Sequence, residues 1–188
     1  MKLTLEQLTA HVATYLGEPS LGVWGEADSP FPALRERVAL IAEDVAAEIV
    51  GAYAPEDVSL WKQLPATGEK KDDDGSTVIV LPDDFMSLVS VRLKGWKREA
   101  VEVLPPSHVR VSRRGCSPAL EASASRPIAV AGWSGERRTL RLFPGSTDMV
   151  YGWYVARPMF DATGSIELPR EAFLPFLRRM RECLEADA

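Results

Sequence analysis

The hydrophobic periodicity of this 188-residue chain changes type along its length, and that change restricts the fold more than any other feature. Between residues 33 and 53 apolar side chains recur every three or four positions, which is the repeat of an amphipathic helix. From residue 57 to residue 168 they occur instead in short extended runs between Gly, Pro and polar turns, which is typical of β-strands. A second helical repeat closes the chain. The helical stripe over 33–53 consists of Leu34, Val38, Ile41, Val45, Ile49 and Tyr53.

Two further helices are predicted at the ends of the chain. Thr4 and Gln7 match a capping box, and Gly17 is a natural stop, so a helix is expected over 5–16. Residues 17–32 are rich in Gly and Pro and read as a loop, with Trp24 as a plug into the core. Near the C-terminus, Pro175 marks the start of a helix or a kink in it. Its apolar stripe is Phe173, Phe176, Leu177, Met180 and Leu184.

The middle of the chain predicts four to seven strands. The run 87–93 alternates, which places Val89, Val91 and Leu93 on one face, and a turn at Gly95 returns the chain through 98–105 with Val101 and Val103 facing inward. Other extended runs cover 58–64, 77–82, 108–112, 126–133, 139–145 and 149–158.

The predicted fold class is therefore α+β: an N-terminal helix pair and a C-terminal helix packed with an antiparallel β-sheet or small barrel. A chain of this length suits a single domain over 1–188. Within it, a helical layer is expected over 1–56 and 169–188, and a β-rich region over 57–168.

Charge is distributed unevenly along the chain. The net charge of −5 consists of −10 over residues 1–85, +7 over 86–145 and −2 over 146–188. Solvated faces are one explanation. The other is a pair of complementary surfaces that meet head to tail between subunits.

No pattern in the sequence predicts a catalytic, cofactor or metal site, so the chain is not expected to be an enzyme. His11 and His108 lack partners at ligand spacing and are expected to be structural. Residues 132–136 lack the last Gly of a nucleophile elbow, and residues 72–75 lack the alternation of a calcium loop. Asp83 and Asp84 follow Pro82 and are predicted to cap a turn.

The remaining signals concern the cysteines and the chain's ends. Cys116 and Cys183 are too few and too distant to suggest a disulfide framework, and Cys116 is expected to be a bystander. The N-terminus has no apolar signal core, and the helix over 33–53 is interrupted by carboxylates, so the protein is expected to be intracellular at synthesis and not membrane-bound.

The segment 81–103, "LPDDFMSLVSVRLKGWKREAVEV", resembles a pattern found in structural proteins of tailed phages and prophages. In that pattern Leu-Pro-x-Asp-Phe leads into a strand, a Gly-Trp turn and a return strand that begins with Arg. The later "RPIAVAGW", "TLRLFPG" and "YGWYVARP" fit the same layout, whereas 108–116 departs from it, since the family is amide-rich there. The chain is thus similar to head–tail adaptors, also called connector or tail accessory proteins.

The resemblance implies a virion structural protein that stays in the host cytoplasm before assembly. Its partners would be copies of itself in a ring of about twelve subunits, together with portal and tail proteins. DNA would pass through the lumen.

The residues expected at a subunit interface or facing DNA fall into an acidic and a basic set. We expect the acidic helix of one subunit to contact the basic β-region of its neighbour, so that charge reversal at Arg113 and Arg114 weakens assembly in low salt. The acidic set is Glu43, Asp44 and Glu48, and the basic set is Arg92, Arg98, Arg110, Arg113, Arg114, Arg137 and Arg138.

Two alternatives remain open. A nucleic-acid-binding β-module would use the basic segment with Trp96 and Trp133 as stacking aromatics, and would lose affinity for single strands in Trp96→Ala. A small enzyme or ligand-binding domain would show a deep pocket with perturbed carboxylates around Asp83.

Overall fold

The computed structural model describes residues 1–17, 31–65, 70–71, 75–113, 121–146 and 148–186. Contacts divide the chain into two compact units, one formed by Met1–Leu60 with Arg157–Ala188 and the other by Trp61–Ala156. The predicted α+β class is confirmed. The elements in chain order are β1 (Lys2–Thr4), α1 (Leu5–Leu16), α2 (Phe31–Gly51), a 3-10 turn (Pro55–Asp57), β2 (Trp61–Gln63), β3 (Lys70–Lys71), β4 (Thr77–Val80), β5 (Phe85–Leu93), β6 (Val103–Leu104), α3 (Val109–Ser112), β7 (Ile128–Ser134), β8 (Arg137–Phe143), β9 (Met149–Ala156), β10 (Ser165–Glu167) and α4 (Phe173–Ala186).

Helix α1 forms as the sequence predicts. The Thr4 hydroxyl accepts a hydrogen bond from the Gln7 N–H at 3.2 Å, and the Gln7 side chain accepts one from the Thr4 N–H at 3.0 Å. These bonds satisfy amides that a helix start otherwise leaves without partners. Gly17 adopts a left-handed φ of +76° and ends the helix.

Helices α1, α2 and α4 bury their apolar stripes in the core of the first unit, beside the β1–β10 pair. Helix α2 runs from 31 to 51 rather than over 33–53. Pro175 is the third residue of α4, where the missing N–H is tolerated because first-turn amides have no intrahelical partner. The fully buried side chains here include Leu8, Val38, Ala42, Ile166, Phe176 and Met180.

The described residues of the second unit form two open sheets rather than a barrel. One has the order β2–β9–β5 and the other β3–β4–β8–β7–β6. Neighbouring strands are antiparallel except for β6 and β7, which are parallel. A large cluster fills the interior, with Ile79, Val91, Leu93, Leu140 and Leu142 each fully buried.

The predicted alternation in β5 is confirmed for Val91 and Leu93 but not for Val89. The buried residues of this strand are Phe85, Leu88, Val91 and Leu93, and Val89 is only partly buried. Register shifts against β9 occur between Phe85 and Ser87, between Leu88 and Ser90, and between Arg92 and Leu93. The irregularity between Leu88 and Ser90 gives β5 an extra residue at Val89, which breaks the strict period of two there.

The predicted return strand over 98–105 is confirmed only in part, with Val103 packed against the core. Its antiparallel pairing with β5 is an isolated bridge between Val91 and Ala100, and Val101 is 59% exposed. The chain then joins the other sheet, where β6 lies parallel to β7. Gly95, with φ of +88°, makes the expected turn.

The run 108–112 forms α3 instead of a strand. His108 caps this short helix, since its Nδ1 accepts a hydrogen bond from the Arg110 N–H at 3.2 Å. This capping bond stabilises a helical turn, although valines by themselves favour an extended strand. The predictions for Trp24, Cys116, Arg114 and residues 72–74 lie outside the described residues.

Candidate interaction surfaces

Asp84 joins three strands of the β2–β9–β5 sheet. It stands in the turn that launches β5, and its carboxylate accepts hydrogen bonds from the Lys62 ammonium at 2.7 Å and the Tyr154 hydroxyl at 2.8 Å. The Phe85 N–H closes the turn on the Pro82 carbonyl at 3.0 Å. The Asp84 side chain is 22% exposed. Asp84 therefore lies in a turn, as predicted, and also links three strands of the sheet.

The protonation of this cluster follows from its contacts. Burial alone would raise the pKa of Asp84, but the hydrogen bonds from Lys62 and Tyr154 outweigh it and hold the pKa of that carboxyl below its ordinary value. Burial, together with the carboxylate of Asp84, raises the pKa of Tyr154 well above its usual range. The cluster is thus a carboxylate and a neutral phenol at physiological pH, which stabilises the sheet.

Two of the predicted arginines lie together in an open cleft beside the β7–β8 hairpin. This Trp133 cleft has a volume of about 530 Å³ and contains Arg137 and Arg138. Trp133 is 70% exposed and lies opposite Arg138 in the strand register. Arg138 also donates to the Phe85 carbonyl at 3.2 Å and lies over the Phe85 ring. The rest of the lining is Val80, Leu81, Pro82, Asp83 and Glu136.

Arg98 and Arg110 line a second, smaller cleft of about 260 Å³ with Glu99 and Glu102. The Arg110 guanidinium lies 3.5 Å from the Arg126 carbonyl. This cleft mixes both signs of charge, so it does not form a uniformly basic surface.

The other predicted basic residues are dispersed. The Arg92 side chain donates to the Trp96 carbonyl at 3.2 Å, which holds it against its own turn. Arg113 is exposed at the end of α3, and Arg114 lies outside the described residues. Trp96 is only 3% exposed, and its indole N–H donates to the Pro144 carbonyl at 2.8 Å. Trp96 therefore packs in the core and is not placed to stack on a base.

The predicted acidic residues of α2 all take part in contacts within the first unit. Asp44 pairs with Arg157 at 2.5 Å, and Glu48 pairs with Arg179 at 3.1 Å. Glu43 accepts a hydrogen bond from the backbone of Phe160 at 2.7 Å. The two ion pairs are solvent-exposed, and pairs of that kind contribute at most about 1 kcal/mol.

The outward face of α2 carries an apolar side chain that the sequence analysis did not single out. Leu40 is 79% exposed, with Glu36 and Asp44 one turn away on either side. Helix geometry could have found it, because Leu40 lies about 200° around the helix from Val38 in the buried stripe. The sequence pointed to Trp133 as a stacking aromatic, but its pairing with Arg138 depends on the strand register and needs the fold.

The remaining motifs have structural surroundings. The His11 ring packs edge-on against Phe173 at 5.3 Å, and His108 caps α3. Residues 132–136 form the β7–β8 hairpin, with Gly135 at a φ of +60°. Among the described residues, no group of three or more His, Cys, Asp or Glu could hold a metal ion, and no helix is long and apolar enough to cross a membrane.

No known protein family matches the sequence, and comparison with curated proteins found no significant match. The resemblance of segment 81–103 to head–tail adaptors therefore stays a prediction that rests on the residues quoted for it.

Proposed function

We propose that this chain is a non-enzymatic structural subunit that assembles head to tail into a ring, as a head–tail adaptor of a tailed phage or prophage. The ring would join a portal protein to tail proteins. The observation that carries the proposal is the opposite net charge of the two compact units.

The first unit contains 8 Lys/Arg and 16 Asp/Glu, a net charge of −8, whereas the second contains 14 and 11, a net charge of +3. Opposite charges on different parts of one molecule favour contacts between unlike surfaces of two copies. A contact of that kind repeats until the rotation closes into a ring or continues as a filament.

The experiment is to measure the molar mass of the purified protein by light scattering, at several concentrations and from 50 mM to 1 M salt, with negative-stain imaging of the large species. A closed ring that dissociates in high salt is expected, since salt screens exposed charges. Copurification with a portal protein tests the adaptor role itself.

A second candidate, a nucleic-acid-binding β-module, is favoured by one observation. Trp133 is exposed beside Arg137 and Arg138, the combination that single-strand binders use. Salt-dependent binding of a dT oligonucleotide that is lost in Trp133→Ala would support it. Trp96→Ala cannot serve as the test, because Trp96 belongs to the core.

A further inference from the structure

We propose that the Trp133 cleft of one copy receives the outward face of α2 from a second copy, with Leu40 against the indole and the flanking carboxylates toward Arg137 and Arg138. This inference rests on the proposed assembly and identifies the contact that would build it.

The donor surface is an exposed leucine in an acidic setting. Leu40 stands at the outer side of α2, opposite the stripe that contains Val38. Glu36 and Asp44 lie four residues before and after it, so the stretch from one carboxylate to the other is about 12 Å long. A leucine that is 79% exposed on a well-formed helix gains apolar contact when a partner covers it.

The acceptor surface has the complementary character. Trp133 presents a large aromatic surface, and Val80 and Pro82 add apolar lining. Arg137 and Arg138 supply cations at the same place, and Trp and Arg are the residues most enriched at the energetic centres of protein interfaces. A guanidinium carries five N–H donors, so the bond from Arg138 to the Phe85 carbonyl leaves donors for a carboxylate.

The existing ion pair on α2 does not oppose this contact. Asp44 and Arg157 are both exposed, so their attraction is weak and a carboxylate can accept from a second cation. The cleft also contains Asp83 and Glu136, which repel phosphate groups. They repel the α2 carboxylates as well, so the contact depends on pairing with the two arginines and on the apolar surface of Leu40 against Trp133.

The two surfaces are different, which makes the contact directional. Each copy carries one α2 face and one cleft, so a single contact leaves a cleft on one copy and an α2 face on the other, where further copies can add. When copies with a disabled α2 face are mixed with copies with a disabled cleft, one contact remains possible. The intact α2 face of the second kind binds the intact cleft of the first kind.

The test uses Leu40→Glu and Trp133→Ala, separately and as an equimolar mixture, in sedimentation velocity and light scattering. Both positions are exposed, so neither change should unfold the chain. Leu174→Glu on α4 and Val150→Ala on β9 are matched controls at other exposed apolar positions, 67% and 59% exposed. Each interface variant should raise the dissociation constant for self-association by at least about tenfold, and the controls should not.

The mixture gives the most specific outcome. Leu40→Glu and Trp133→Ala should each remain monomeric alone and form a heterodimer, and nothing larger, when mixed. An absence of heterodimer would overturn the inference, as would a wild-type chain that stays monomeric at about 1 mM.

The failure of this contact and the failure of the proposed function give different results. Wild-type rings that persist in both interface variants would overturn the contact and leave the ring. Open filaments that both variants abolish would support the contact and contradict the closed ring. A monomer that loses binding to a dT oligonucleotide in Trp133→Ala would assign the cleft to single-stranded nucleic acid and overturn the inference.

Discussion

Asp84 supports the β2–β9–β5 sheet through bonds to Lys62 and Tyr154, and this contribution depends on pH. Its pKa is lower in the folded chain than in the unfolded one, so the stability it supplies is present above about pH 4 and is lost as pH falls through the folded pKa. Asp84→Asn should cost about 1–2 kcal/mol at pH 7 and progressively less as the pH falls below about 4, measured by urea unfolding. Asp83→Asn, at the exposed neighbouring position, is the control and should be nearly neutral over the same pH range.

Substitution by Phe should destabilise the chain strongly at Trp96 and hardly at all at Trp133. Trp96→Phe removes buried volume and the indole bond to the Pro144 carbonyl, so it should lower the free energy of unfolding by about 2 kcal/mol. Trp133→Phe should change it by less than about 0.5 kcal/mol because the residue is exposed. Equal losses in chemical denaturation would contradict these placements.

Some residue roles could be predicted from sequence and others could not. The bonds of the Thr4 capping box span three residues, and the pattern revealed them. The partners of Asp84 lie 22 and 70 residues away, so a local pattern showed only the turn around it.

At the scale of elements, Gly145 lies close against the backbone of residues 75–77. A Cβ on Gly145 would lie 2.6 Å from the Gly75 carbonyl oxygen, and the Gly145 N–H bonds that same oxygen at 2.8 Å. Gly145→Ala must push backbone apart and should cost about 1–3 kcal/mol in thermal or urea unfolding. A Cβ on Gly132 would meet side chains and no backbone, Thr139 at 3.2 Å and Arg141 at 3.8 Å, so Gly132→Ala should cost clearly less. A reversed order of the two costs would contradict this packing.

Helix α1 gives a second element-scale prediction. Thr4→Ala removes the side chain that accepts from the Gln7 N–H and should lower the free energy of unfolding by about 1 kcal/mol. Thr14→Ala is the control, because that hydroxyl bonds the Ala10 carbonyl within the helix and caps nothing. A loss at Thr14 that matched the loss at Thr4 would argue against the cap.

Helices were easier to predict than strand partners because a helix satisfies its own backbone within four residues. The apolar repeat thus located α1, α2 and α4 to within a few residues. Strand pairing depends on distant residues, so the sequence could not show that β6 joins β7 in parallel or that β5 contains register shifts. The capped turn at His108 likewise overrode a run of valines.

For the whole molecule, the α+β class followed from the change of hydrophobic period, and the charge asymmetry was visible before any fold was known. The Trp133 cleft was not visible from the sequence, because it needs the β7–β8 register and the turn at Pro82 to bring its lining together.

Charge reversal at Arg113 and Arg114 remains a prediction for assembly in low salt. It should raise the dissociation constant severalfold at 50 mM salt and have little effect at 1 M, because screening removes the attraction.

The central claim is that copies of this chain assemble head to tail into a closed ring. Light scattering across concentration at 50 mM salt, with imaging of the largest species, tests it most directly. The account predicts closed rings of uniform size that dissociate toward monomer in 1 M salt. A symmetric dimer as the largest species, unchanged by salt, would contradict it, because a twofold contact uses one surface twice and ends assembly there.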